Sequence, residues 1–297
     1  MKSVIYLILF LNILGLQTIT AQEKLQYNLK KDDVFRIEQN AVQNIVQKMD
    51  SIEHQMTNTI GGIFLMKVVN IIDGKYVFEV NFEKFKFKTE SDIYGILSDV
   101  DTDVPPADEE DIMAKVFQGL IGPKFRMVML KTGQIESLTG TENLIENMIK
   151  QVEMGDEATN SLIKETFEKE FNNQDMLESL QQFTFIYPEV KVKVNQTWTN
   201  NYTGPVNAEN TWKLVSYSKD DAIVLSANST VVMETKDDSV IMKLTGNQQT
   251  EATSSASSGF IKTMEVNQET EGATIVPEID NNEIPTSLTS KITYKLL

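Results

Sequence analysis

Asp99, Asp101 and Asp103 stand two residues apart, and Glu110 takes the twelfth place of an EF-hand count begun at Asp99. Oxygen ligands spaced this way can converge on a calcium ion. The sixth place needs glycine for the sharp turn, and here it is Val104, followed by Pro105-Pro106. The stretch therefore reads as an acidic loop leading into a helix, and no metal is expected. His54 is the only histidine and there is no cysteine. That leaves little for a Ser-His-Asp triad, a thiolate or a His-cluster zinc site. No G-x-S-x-G elbow occurs, and His54, between Glu53 and Gln55, reads as an ordinary surface histidine. Trp198, Tyr202, Trp212 and Tyr217 could stack on a sugar, but aromatics opening strands are more simply core. The 43 acidic residues offer many carboxylate pairs. A glycosidase depends on the separation of its pair, which sequence does not supply. No catalytic residue and no cofactor are assigned.

Strand patterns dominate the elements that must position these residues. "GIFLMKVVNII" and "KYVFEVNFEKFKFK" flank Asp73-Gly74, a strong hairpin signal. Tyr76, Phe78, Val80 and Phe82 share one face; then the parity slips, and Phe85 and Phe87 fall on the other. A bulge near Glu83-Lys84 would restore a single apolar face. Gln39 to Thr59 reads as a long, weakly apolar hairpin turning near Asp50-Ser51, and "KFRMVMLKTGQIESLTG" as a tight one around Thr132-Gly133. "TEATSSASSG" reads as a mobile connection or an edge strand with little to bury.

Between these runs the period changes. Ile112, Met113, Val116, Phe117 and Leu120 recur at helical spacing. Leu144, Ile145, Met148, Ile149 and Val152 make a further stripe, Leu162, Ile163, Phe167 and Phe171 another, and Met176, Leu177 and Leu180 a short last one. Such stripes can close a core or lid a groove in which methionine adapts to apolar ligands. Phe117, Met148 and Phe167 are the candidate ligand-binding residues.

Lys2 and the apolar run Val4 to Leu16 read as an export signal, too short for a spanning helix of ~20 residues. Cleavage is expected near Ala21, and without cysteine there is no lipoprotein anchor. No later segment is apolar enough to span a membrane. The expected location is the periplasm or outside the cell. The net charge is -16, and Arg36 and Arg126 are the only arginines, so nucleic acid is an improbable partner.

Two phrases echo each other. "LKKDDVF" (Leu29 to Phe35) and "VKVNQTW" (Val192 to Trp198) each run apolar residue, lysine, two-residue polar turn, aromatic. The expected fold is α+β: a mostly antiparallel β-sheet in two similarly laid-out halves with a helical insertion between them. Expected boundaries are a signal peptide over 1–21, an N-terminal β half with one helix over 22–140, the helical insertion over 141–183 and a C-terminal β half over 184–297.

"LQYNLKKDDVF", "VVNIIDGKYVFEV", "MLKTGQIESLTGTENLIENM", "IYPEVKVKVNQTW" and "VNQETEGA" occur in the order seen in a secreted bacterial family. Over nearly the whole mature chain the sequence resembles this uncharacterised domain-of-unknown-function family, family 6263. Members usually carry Gly-Asp or Gly-Glu in the turns where this chain has Asp32-Asp33 and Asn195-Gln196. The resemblance implies export and a β-rich fold with helices, and it brings no catalytic residue. The leading functional expectation is an exported non-enzymatic binding or carrier protein. Its partner would be an apolar small molecule held between the halves, or an envelope component. The alternatives are an envelope hydrolase of polysaccharide or peptidoglycan, and a structural or interaction protein without a small ligand.

Overall fold

A computed structural model describes residues 22–49, 52–105, 111–151, 161, 165, 173–204, 206–236, 240–277 and 282–297. Strands β1 (Val34–Met49), β2 (Ile52–Ile72), β3 (Lys75–Ser91) and β4 (Gly95–Asp101) come first, followed by helix α1 (Ile112–Gln118). Next come β5 (Lys124–Met129), β6 (Ile135–Thr139) and helices α2 (Glu142–Lys150) and α3 (Asn173–Thr184). The last are β7 (Thr197–Tyr202), β8 (Val206–Tyr217), β9 (Ala222–Lys236), β10 (Ile241–Ser255), β11 (Ile261–Val276) and β12 (Asn282–Leu296). All twelve strands form one open sheet in the order β6-β5-β3-β2-β1-β12-β11-β10-β9-β8-β7, with β4 added on β3 beside β5. Every pair is antiparallel, and β1 lies on β12 with Ile37 opposite Leu296.

Turn chemistry sets the registers. Asp73 and Gly74 both take positive φ, 50° and 79°, as a two-residue hairpin turn requires. Met49 lies directly opposite Ile52, so β1 and β2 also close through two residues. In β3 the register slips at Glu83: Phe82 faces Phe64 while Lys84 faces Ile63. Phe85 and Phe87 therefore share the face of Phe82, as the parity argument required. Glu83 is turned outward to Arg36.

The two echoed turns are built alike. Asp33 N–H donates to the Lys30 carbonyl and Gln196 N–H to the Lys193 carbonyl. In each, the side chain of the last turn residue also accepts from the first: Asp33 Oδ2 from Lys30 N, and Gln196 Oε1 from Lys193 N. Asp32 and Asn195 N–H then bond the carbonyls of Val68 and Leu214, and both contacts sit beside a register shift in the receiving strand. Asp32 and Asn195 hold φ of 71° and 69°. Short polar side chains tolerate that region best after glycine.

Two segments fill the inner face. Glu23 pairs with Val192, and Leu25, Tyr27 and Leu29 are buried. From the other side runs Phe183 to Tyr187, whose carbonyls at Thr184, Phe185 and Ile186 are taken by buried and half-buried side chains. Tyr27 Oη donates to Thr184, Tyr202 Oη and Asn200 Nδ2 to Phe185, and Trp198 Nε1 to Ile186. Tyr187 Oη lies 2.7 Å from Ser254 Oγ and 2.6 Å from the Gly259 carbonyl. Backbone that would be costly to bury is thereby satisfied. One continuous core spans both flanks of the sheet.

The small-residue stretch differs from its expectation. "TEATSSASSG" is not an edge strand: its first part lies in β10 between β9 and β11, with Ala252 and Ser254 buried, and Ala256 to Ser258 form the turn into β11. Its small side chains make room for Tyr187, and Gly259 for the backbone of Gln26. The first helical stripe is also rotated. Asp111 caps α1 by accepting from Ala114 N–H, which turns Ala114, Val116 and Phe117 inward and leaves Ile112 and Met113 exposed.

Candidate functional site

α3 lies across the two end strands of the sheet, β6 and β7. On one side, Gln181 Oε1 accepts from Ile135 N–H of edge strand β6. On the other, the buried carboxylate of Glu178 accepts from Thr203 Oγ1, just past edge strand β7. At its start, Asn173 bonds Thr141 Oγ1 and the Leu138 carbonyl. Open edges invite unwanted strand pairing, and a covering helix is one remedy.

Behind α3, against the inner face of the β7-β8 flank, lies a cavity of about 60 Å³. Tyr202, Trp212, Val266, Ile292 and Tyr294 make its apolar wall, and Gln43, Gln182, Gln248, Gln268 and Ser290 contribute amides and a hydroxyl. None of the lining residues is charged. The polar ends of two aromatics are engaged elsewhere: Tyr202 Oη on Phe185, and Trp212 Nε1 on Asn200 Oδ1 at 3.0 Å. They present rings rather than donors. Ser290 Oγ is buried without a hydrogen-bond partner among the described residues. Leaving a hydroxyl in that state costs ~1–3 kcal/mol, so a ligand oxygen or amide would be welcome. Burial pushes the Tyr294 phenol up to about 12, keeping it neutral. The chamber suits an uncharged or amphiphilic group. It has room for a few waters but not for a drug-sized ligand, whose sites run ~300–1,000 Å³. A larger guest would need α3 to lift.

Larger hollows, about 860, 530 and 480 Å³, are wide and lie on the opposite, solvated face. Asn, Gln, Thr, Glu and Lys side chains line much of them.

The residues singled out in the sequence are dispersed. Phe117 stacks on Phe85 with centroids 4.7 Å apart. With Met148, Val100, Val116 and Leu120 it forms a second, smaller core under β3 and β4, separate from the cavity. Phe167 lies outside the described residues. Trp212 and Tyr202 are buried, and Trp198 packs against the main core with its indole N–H on Ile186. His54 is a correction: it is 8% exposed, not a surface residue. Its Nε2 sits 2.9 Å from Ser91 Oγ and 3.8 Å from Asp92 Oδ1. Both neighbours address the same ring nitrogen, so the three do not form a relay through the imidazole. The cavity was missed because its walls come from strands far apart in sequence, and Gln, Thr and Ser at alternate strand positions look like a solvated face.

Two carboxylates of the acidic stretch pair with lysines of β3, while Glu110 lies outside the described residues. Asp101 pairs with Lys86, and Asp103 with Lys84. Desolvation pushes the Asp101 carboxyl up, but Lys86 and the Asp103 N–H outweigh it and hold it below the usual carboxylate range. Among the described residues, no group of three or more His, Asp or Glu is gathered to hold a metal. Calcium or chelator should therefore leave the melting temperature nearly unchanged. A cation at ~100 times its dissociation constant would add ~2.7 kcal/mol. An upward shift of several degrees with calcium would restore the loop as a site.

An open antiparallel sheet filled from within, with a helix across its end strands and an uncharged cavity behind that helix, defines a β-rich domain with short helices. The chain belongs to the family of unknown function DUF6263, which matches residues 73–261. A search of curated proteins gives no sequence match. Among solved structures, lipovitellin, described for its lipid–protein interactions, shares the fold at TM-score 0.50 and 9% identity, over 91% of this chain and 25% of that one. The chain thus spans about a quarter of lipovitellin's length. An outer membrane channel from Pseudomonas putida F1 matches at TM-score 0.29 and 8% identity, over 91% of this chain and 97% of that one. DynF of the dynemicin pathway of Micromonospora chersina matches at 0.26 and 5%, over 92% and 84%. Among the described residues no helix is long and apolar enough to cross a membrane.

Proposed function

We propose that this protein is an exported, non-enzymatic carrier that holds a lipid-like amphiphile against the inner face of its sheet, beneath α3. The observation that carries this reading is the chamber itself, with aromatic and aliphatic walls, uncharged amides and the unpartnered Ser290 hydroxyl. An acyl chain matches the chemistry of the first and a neutral head group that of the second, and either enters the roughly 60 Å³ chamber only as α3 lifts. α3 acts as the lid, fastened to the edges through Gln181 and Glu178. The fold likeness to lipovitellin supports a sheet of this kind as a lipid support. The matching turns at Asp32 and Asn195 support two similarly laid-out halves, with the chamber on the later flank. Export rests on the N-terminal signal pattern.

The test is uptake of a fluorescent fatty acid in solution. The native protein should bind it, and Ile292→Trp, which fills the chamber, should weaken binding roughly tenfold or more, about 1.4 kcal/mol. Circular dichroism checks that the variant stays folded. Failure of the native protein to bind any such probe, or equal binding by the variant, would remove the reading. If Phe117→Ala abolishes uptake and Ile292→Trp does not, the ligand lies beneath α1 and α2, at Phe117 and Met148.

A further inference from the structure

The inner face carries a polar row from β1 to β7. Gln43 lies directly opposite Ser290, Ser290 opposite Gln268, and Gln268 opposite Gln248. The row runs on through Ser229, Asn210 and Asn200 to the end strand β7. Apolar side chains flank it. Ile292, Val266 and Trp212 stand two residues along on one side, and Leu288, Val231 and Tyr202 on the other.

Toward β7 the row is tied together. Ser229 Oγ donates to Asn210 Oδ1 at 2.6 Å, Asn210 Nδ2 to Asn200 Oδ1 at 3.0 Å, and Asn200 Nδ2 to the Phe185 carbonyl at 2.6 Å. A satisfied chain of this kind rigidifies a core. From Gln43 to Gln248 the chain is broken. Among the described residues, no hydrogen bond joins these four side chains to one another. Gln268 Nε2 points at Met233 Sδ, 3.0 Å away and a weak acceptor. Gln248 Nε2 turns to Thr250 of its own strand at 3.3 Å. Ser290 is 6% exposed, and its Oγ has no partner among the described residues. All four side chains line the chamber beneath α3. The gap in the polar row and the chamber therefore coincide. Polar groups left open inside a protein cost stability, and a guest that supplies the missing partners recovers it.

The open groups define that guest. Amides and a hydroxyl both donate and accept, so they match hydroxyl and ester oxygens alike. Neighbouring strands set the four side chains ~4.8 Å apart, over roughly 14 Å. A head group with several oxygens meets more of them than one with a single oxygen. No lining residue is charged, so a carboxylate or phosphate would enter without a cation, which is costly.

We propose that the chamber takes an acyl ester of an uncharged polyol, with its hydroxyl and ester oxygens along Gln43, Ser290, Gln268 and Gln248, and that Ser290 selects it over a fatty acid. This inference rests on the carrier reading and names its substrate class. α3 lifts to admit the head group, as it does for the chain.

Competition with the bound fluorescent fatty acid tests it. Monodecanoylglycerol should displace the probe at a concentration roughly tenfold or more below that needed for decanoate or methyl decanoate. Ser290→Ala should bring the three to within about threefold of one another. Its melting temperature should not fall, because the hydroxyl it removes is unpartnered. If the native protein never binds the fluorescent probe, the carrier reading falls and this inference with it. If the probe binds and decanoate displaces it as well as monodecanoylglycerol does, this inference alone is overturned. Equal displacement by methyl decanoate would overturn it too, because the chamber would then read only the chain. So would undiminished selectivity in Ser290→Ala, or a drop of several degrees in its melting temperature, which would make Ser290 a structural residue.

Discussion

Gly133→Ala is expected to be among the most destabilising single-methyl additions in this protein, by roughly 2–5 kcal/mol. Gly133 turns the β5–β6 hairpin at φ 93°, where an L side chain is strained. A Cβ there would also stand 1.8 Å from the Thr184 carbonyl and 2.8 Å from the Tyr27 ring. The Thr184 carbonyl is the acceptor for Tyr27 Oη. The new methyl thus strikes the point where both inner segments meet, and relief would require moving one of them. Gly95 makes the comparison. Its φ is 74°, but a Cβ there meets nothing within 4 Å, so Gly95→Ala should cost ~1 kcal/mol from backbone strain alone. Denaturant unfolding of the two variants checks the pair. Equal losses would mean that the close approach at Thr184 contributes nothing.

Unfolding above pH 10 should be abrupt. Tyr27, Tyr187 and Tyr202 are buried, and desolvation raises each phenol well above its ordinary value of 10.0. For Tyr27 the neighbouring Tyr187 and Tyr202 add to the rise. The sign follows from proton counting. Between pH 10 and the raised folded values, the native state keeps three protons that the unfolded chain releases, so stability falls as pH rises. Below pH 10 the stabilisation is whole. Each tyrosine contributes ~1.4 kcal/mol per pH unit, or about 4 kcal/mol per unit for three. Against a typical total of ~5–15 kcal/mol, the fold should collapse within a few units. Tyrosinate absorbance of these three should appear together with the loss of circular dichroism. Gradual ionisation with the native signal intact would show that water reaches the inner segments.

Much of the architecture was legible because it is local. The Asp73-Gly74 and Thr132-Gly133 turns follow from which residues accept positive φ. The Glu83 bulge follows from parity, since Phe82, Phe85 and Phe87 can share a face only if one residue is skipped. Helical spacing marked α1, yet the Asp111 cap, not the apolar count, decided which side of it faces in.

What the sequence by itself determined is a β-rich, acidic, cysteine-free chain with turns at known places and short helices. Tertiary structure alone decided the rest, because the decisive contacts join residues far apart in the chain. β1 pairs with β12, Tyr187 reaches Ser254 and Gly259, and α3 joins the strand edges at Ile135 and Thr203. Alternation by itself left Gln43, Thr250, Gln268 and Ser290 looking like part of a solvated face. It could not tell that α3 would cover that face. A polar side chain on a strand looks the same in sequence whether water or a helix lies above it, and only the packed chain distinguishes a wet surface from the wall of a chamber.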